Sequence, residues 1–312
     1  MRNAKVLLAV AMMGLAAMCG IARGQERSAG HGANEIREHE QATIAEERSL
    51  ERSQGKNGGA WWKLALMYQD AARFGDAERA YGKALELMKT GDPVALANVM
   101  DCMGTMYVQM GRFDEAERLE RKALKIRQEQ RDPLGVGLSW MHLAMLSLGK
   151  HENADGEMYA ELAVERLVPE NGESGATDEQ KMTALTHLSL ARCAARDCRD
   201  AMSPLKRALT IAEASYAEKS FPVSYVRFLE GYVDWKRGDD RAAAKLMKSG
   251  TEGMEAQLGW AHPTFASAMR QYEGFLTATR RTAEAAEVRE KMARFAGTAT
   301  MASAAGAGVL PR

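Results

Sequence analysis

The sequence predicts an all-α solenoid of about six antiparallel helix pairs. Three observations carry this. Small and apolar residues return in a fixed register at long, nearly even intervals. Alanine, leucine, methionine, glutamate and arginine dominate, with almost no strand signal. Glycine and proline mark the intervals as turn and start signals. At 312 residues the chain can bury a sizeable core. A stack of pairs needs no single one, because each pair buries its apolar face against its neighbours.

The stretch Leu96 to Asp132 shows the unit most clearly. Met100, Met103, Gly104 and Tyr107 share one helical face, then Gly111 supplies a left-handed turn and Asp114 is placed to cap the next helix. Ala116, Ala123, Leu124 and Arg127 continue the helical period. Glu115, Glu117, Arg118, Arg121 and Lys122 lie on the polar side. The small Gly104 and Ala116 allow two helix backbones to approach closely.

The unit recurs. Trp61, Leu64, Ala65, Tyr68, Phe74, Ala77, Tyr81, Ala84 and Leu85 take the same roles one unit earlier. Trp140, Leu143, Ala144 and Ala163 mark a third unit, and Leu185, Leu188, Ser189, Ala201, Leu205, Ala208 and Leu209 a fourth. Gly231, Gly238, Ala243 and Met247 mark a fifth, and Thr264 to Phe295 a degenerate sixth. The late marker of each second helix falls at Ala84, Ala123, Ala163, Ala208, Gly250 and Met292, in steps of 39, 40, 45, 42 and 42. Pro169 to Thr177 is a polar linker that accounts for the long step.

Gly104, Tyr107, Gly111, Phe113, Ala116, Ala123 and Leu124, with the run GRFDEAERLERKAL, resemble the tetratricopeptide repeat, and more narrowly its kinesin-light-chain type. The ordinary repeat is about 34 residues; the kinesin-light-chain type is longer, with a proline between units. Asp92-Pro93, Asp132-Pro133, Phe221-Pro222 and His262-Pro263 fit that place. The resemblance covers roughly residues 58 to 296. It implies a right-handed superhelical solenoid whose first helices line a concave face that binds a protein or peptide. The asparagines of the family's inner face are replaced here by Asp101-Cys102, Met141-His142, Thr186-His187 and Arg270-Gln271. The lysine-and-asparagine clamp of chaperone-binding repeats is missing too, so recognition of a C-terminal carboxylate is not expected.

Met1 to Gly24 reads as a secretory signal. Arg2 and Lys5 precede the apolar run Val6 to Met18, and Ala22-Arg23-Gly24 is a cleavage site, with cleavage after Ala22 as an alternative. Export to the periplasm or beyond follows, without membrane insertion once the signal is removed. A lipid anchor through Cys19 is the weaker reading, because Met18 before it is not small. Residues 25–59 form a polar segment, with a helix over Asn34 to Ser53 and a joint at Gly55 to Gly59. Residues 60–296 are the repeat domain and 297–312 a flexible tail. Net charge is zero; losing residues 1–24, which hold three basic residues and no acid, leaves it acidic by three. That balance argues against a nucleic-acid partner.

No enzyme motif is present. His151-Glu152 has no histidine four residues after His151, and Gly172-Glu173-Ser174-Gly175 lacks the spacing of a nucleophile elbow. No cofactor and no metal site are expected. Cys193 and Cys198 flank a turn and could close a small disulfide or stay reduced. Cys102 reads as a packed thiol. His142 and His187 hold equivalent positions, read as hydrogen-bonding side chains of the groove wall rather than metal ligands. Met100 and Met103 read as core, as does Trp61.

Tyr225, Phe228, Tyr232 and Trp235 form an aromatic stripe. One register turns it to the groove but puts Arg227, Glu230 and Asp234 in the core; the other makes Val226, Leu229 and Val233 core and packs the stripe between repeats. The functional expectation is a non-enzymatic adaptor or scaffold. Its candidate groove residues are Trp62, Asp101, Thr105, Met141, His142, Thr186, His187, Phe228, Tyr232 and Trp235. Self-assembly into a homo-oligomer through terminal repeats is the alternative.

Overall fold

In the computed structural model the described residues are 32–52, 55–71, 73–258 and 263–306. They form thirteen helices and no strand. The segment read as a secretory signal lies outside the described residues. No helix among them is long and apolar enough to cross a membrane.

The chain divides into two units at Arg196 and Asp197. The first holds α1 (Gly32–Arg52), α2 (Gly58–Asp70), α3 (Phe74–Met88), α4 (Pro93–Gln109), α5 (Phe113–Glu129), α6 (Pro133–Gly149), α7 (Asn153–Leu167) and α8 (Asp178–Arg196). The second holds α9 (Met202–Ser215), α10 (Phe221–Lys236), α11 (Asp240–Leu258), α12 (Pro263–Ala278) and α13 (Thr282–Gly306). In the first unit α2 packs on α3, α4 on α5 and α6 on α7; in the second α10 packs on α11 and α12 on α13. The last helix runs ten residues into the segment read as a tail.

Local chemistry explains where the pairs begin and turn. Asp92 and Asp132 cap α4 and α6: their carboxylates accept from the backbone N–H of Val94 and Gly135, each at 2.9 Å, and a proline follows at the first helical position. Between α4 and α5 the chain turns at Gly111, whose φ of +74° is the conformation that glycine adopts without a Cβ clash. Pro93 to Pro133 is a step of 40 residues and Phe221 to Pro263 one of 42, so the long sequence period is that of the helix pairs.

A second small position, earlier in each second helix, has the same steps as the first: Ala77, Ala116, Gly156, Ala201, Ala243 and Ala285. All five alanines are fully buried. At Gly156 a Cβ would lie 2.8 Å from the Leu148 side chain. Within each unit, small residues at this position let α3, α5, α7, α11 and α13 lie close against their neighbours, where dispersion contacts accumulate.

The helix α1 lengthens this stack. Its Leu50 and Thr43 are buried, its Glu46 pairs with Lys63 at 2.7 Å, and its Glu47 accepts from the Tyr68 hydroxyl. The segment Gly55 to Gly59 is only partly a joint: α2 starts at Gly58 with Asn57 as its cap, and the Trp61 indole donates to the Gly55 carbonyl at 2.9 Å.

In the second unit, two glycines fix how α10 meets α11. A Cβ on Gly231 would lie 2.8 Å from the backbone nitrogen of Met247, and one on Gly250 2.8 Å from the Ser224 carbonyl. The ambiguous register is thereby settled with both candidate faces inside: Phe228 and Tyr232 are buried beside Val226, Leu229 and Val233. Arg227 stays partly exposed and pairs with Glu213 at 3.0 Å. Glu230 is buried, and its carboxyl is pushed up by burial and by Asp234 and Glu213 nearby.

Cys193 and Cys198 are disulfide-bonded, and Cys102 is a buried free thiol. Asp197, Cys198 and Asp200 adopt left-handed φ values of 51°, 61° and 58°, a conformation disfavoured for residues with a Cβ.

Three outcomes follow. Gly250→Ala is expected to lower stability to urea by about 1–3 kcal/mol, since the neighbouring backbone must shift. Gly274→Ala, whose Cβ meets nothing within 4 Å, is expected to be neutral or to stabilise by up to about 1 kcal/mol. Cys193→Ser is expected to cost about 2 kcal/mol, the loop-closure entropy of so short a ring, read as the loss of unfolding midpoint that reductant produces in the parent.

Candidate functional site

The candidate groove residues do not stand open. Asp101, Thr105, Met141, His142, Thr186 and His187 in the first unit, and Phe228 and Tyr232 in the second, are all buried; Trp62 and Trp235 are half-buried. The expectation of an exposed wall is corrected for these eight. The physical reasons differ: Asp101 and His142 are drawn into a charged network, Thr186 donates to the Thr183 carbonyl at 2.9 Å, and Phe228 meshes with Gly250.

The network joins three helices. Asp101 comes from α4, Glu120 and Arg127 from α5, and His142 from α6; none is more than 4% exposed. Arg127 pairs with Asp101, and it donates to Asn98 Oδ1 at 2.8 Å, Ser139 Oγ at 2.7 Å and the Gly135 carbonyl at 3.1 Å. His142 Nδ1 lies 3.2 Å from Glu120 Oε2 and 3.8 Å from Asp101 Oδ2. Gly104 makes room for this: a Cβ there would lie 2.5 Å from Glu120 Oε1. The small residue that sequence assigned to helix contact therefore also seats a buried carboxylate.

The electrostatics follow from burial and pairing. Burial opposes ionisation of Asp101, but the Arg127 guanidinium and His142 outweigh it and hold the carboxyl below its usual range. Burial pushes the Glu120 carboxyl up, against the pull of His142 and with the help of Asp101. Burial alone would lower His142, yet the carboxylates of Glu120 and Asp101 raise it well above an ordinary histidine.

Three ligand-type atoms of Asp101, Glu120 and His142 lie within 4.8 Å of one another. Arg127 already sits against Asp101, and a guanidinium there repels a second cation. The donor set fits an ion-pair network rather than a metal centre. Nor does it form a catalytic pair, because every member is enclosed.

A second, repeated arrangement lies nearer the surface of the first unit. Glu78, Glu117 and Glu157 follow the small residues Ala77, Ala116 and Gly156 at the same steps, and each reaches the end of the next pair's first helix. Glu78 accepts from the Tyr107 hydroxyl at 2.7 Å and pairs with Arg112 at 3.0 Å, Glu117 pairs with Lys150 at 2.7 Å, and Glu157 with Arg196 at 2.8 Å. The guanidinium of Arg112 also lies 4.3 Å over the Tyr107 ring. In the sequence Glu117 reads only as a residue of the polar side. The regular spacing of the three glutamates was the available signal.

In the second unit the aromatic stripe is packed. Tyr225 stacks on Phe221 at 5.6 Å, Tyr232 meets Trp235 edge-on at 6.0 Å, and Trp235 meets Phe275 at 5.8 Å. The Lys236 ammonium lies 3.9 Å over the Trp235 ring, and burial lowers its pKa. Trp62 and Trp235 thus remain the two candidate residues with side-chain surface to offer.

Comparison with known proteins adds a match over part of the chain. The tetratricopeptide repeat family matches residues 58–129, which span α2 to α5. None of the curated proteins matches. Among solved structures, BtubC (BKLC) from P. vanneervenii is similar at 20% identity and a TM-score of 0.55, over 76% of this chain and 93% of that one. Aspartyl phosphate phosphatase F from Bacillus subtilis is similar at 16% identity and a TM-score of 0.55, over 80% and 70%. A Rap protein complexed with Competence and Sporulation Factor gives 13% and 0.60, over 83% and 72%. At these identities the likeness is one of fold.

Arg127→Met is expected to destabilise the first unit by about 3–5 kcal/mol, because it strands the Asp101 charge in the interior. Glu78→Gln, at a partly exposed pair, is expected to cost no more than about 1 kcal/mol. Urea titrations of the two variants distinguish these magnitudes. Acid sensitivity follows the same logic: Asp101 is held low, so its contribution is complete above the ordinary aspartate range near pH 4 and is lost as pH falls through its lower folded value.

Proposed function

We propose that this chain, in which residues 58–129 are tetratricopeptide repeats, is an exported, non-enzymatic scaffold that binds a protein or peptide through its helix array. The observation that carries the reading is the stack of helix pairs itself. It is a rigid support on which side chains are held with little ordering cost on binding. The complex of a Rap protein with Competence and Sporulation Factor supports it, as a case of a similar fold holding a factor. The lack of any recognised catalytic motif and the enclosure of the titratable cluster support the non-enzymatic part. Export rests on the sequence pattern of Met1 to Gly24 alone.

The contact residues of this reading are Trp62 and Trp235, whose half-buried rings can still meet a partner. Aromatic side chains of this kind carry a large share of binding energy at interfaces. The full chain and its Trp62→Ala and Trp235→Ala variants, each first shown to melt like the parent, are used as bait in envelope and soluble extracts. A protein retained by the parent and lost by either variant supports the reading. Equal retention by all three would reject these contacts, and no retention would reject the scaffold. A fusion of residues 1–24 to a reporter that is active only after export tests the destination.

A further inference from the structure

We propose that the joint between α4–α5 and α6 is a pH-sensitive lock held closed by a single proton on the His142–Glu120 pair. The charges inside this closed volume balance only with that proton. Arg127 is permanently cationic, and Asp101 and Glu120 supply two carboxylates, all of them buried. With one proton on His142, two positive and two negative charges meet within hydrogen-bonding range. Without it, the interior holds one uncompensated negative charge, which low-dielectric surroundings do not tolerate.

The geometry places that proton. His142 Nδ1 is 3.2 Å from Glu120 Oε2, close enough to donate to it, and Asp101 Oδ2 lies 3.8 Å away on the other side. Glu120 cannot retreat to water, being 2% exposed and set against Gly104. Asp101 is committed to Arg127, so it cannot release its share of the guanidinium. Among the other buried titratable groups on helices packed against α6, Cys102 lies on α4, Glu157 of α7 holds Arg196 at 2.8 Å, and His187 lies on α8.

The sign follows. Both His142 and Glu120 titrate above their ordinary values. A histidine so raised contributes stability that is full below its ordinary value near pH 6.5 and lost as pH rises through its folded value. A carboxyl so raised also favours the protonated cluster. The Glu120 share is lost by about pH 7 and the His142 share above it, so the joint weakens on the alkaline side through His142, where any partner contact that spans α4 to α6 would loosen with it.

The test is hydrogen exchange of the full chain from pH 6 to 10, corrected for intrinsic exchange rates, with α10–α11 of the second unit as internal reference. The expected result is that protection in α4 to α6 falls first, with an opening equilibrium that rises about tenfold per pH unit above the ordinary histidine value near pH 6.5 and levels off once pH passes the folded value, the slope for one linked proton. Glu120→Gln removes one carboxylate and leaves Asp101 and Arg127 balanced with a neutral imidazole, so its α4–α6 protection is expected to stay level over this range. His142→Gln is expected to lose protection at a lower pH than the parent. Equal loss in both units of the parent would overturn the proposal, and so would parallel profiles for the parent and Glu120→Gln. Should Glu120→Gln fail to fold, the comparison of the two units in the parent decides alone.

Discussion

Close approach of helices at small side chains is the constraint on which the rest of this structure depends. The positions of Ala77, Ala116, Gly156, Ala243 and Ala285 allow these second helices to lie against their first helices, and Gly231 and Gly250 do the same on the facing sides of α10 and α11. Where backbones come that near, a larger side chain has no place to go, and a single methyl group forces a shift. The long period of the sequence is the record of this packing rule. The intervening residues are free to vary as long as they fill the space between pairs.

That freedom has been used differently in the two units. In the first, the joints between pairs carry charge: a glutamate from each second helix grips the end of the next first helix, and one joint also encloses a complete ion-pair cluster. In the second, the joint of α10 with α12 is aromatic, built around Tyr232, Trp235, Tyr272 and Phe275, while α9 and α10 share the Arg227–Glu213 pair. Partly exposed pairs such as Glu78 with Arg112 contribute little stability each but fix the order and register of the stack. The enclosed cluster does more, because removing Arg127 strands the Asp101 carboxylate in the interior.

Much of the fold was legible because close packing writes itself into sequence as small residues at constant spacing. Gly104 and Ala116 announced one pair, and the five recurrences announced the array. The register of α10 was not legible, since its aromatic and aliphatic faces are both buried and periodicity cannot rank two apolar faces. The candidate site was read poorly for a related reason. Asp101 and His142 read as groove residues because they stand where the resembled family carries its inner-face asparagines. Their partners, Glu120 and Arg127, lie on another helix, and no local motif ties the four together. The one hint was Arg127 itself, a charged residue in phase with the apolar face of α5. A buried arginine demands a carboxylate, and Asp101 was the answer.

The account stands most directly on the protonation of His142 at neutral to mildly alkaline pH. Nitrogen-15 NMR of the histidine rings, with His142→Gln used to assign its signal, reads that state. The network described here predicts an imidazolium at pH 8, protonated at both ring nitrogens. A neutral imidazole at pH 8, with the chain fully folded, would contradict it.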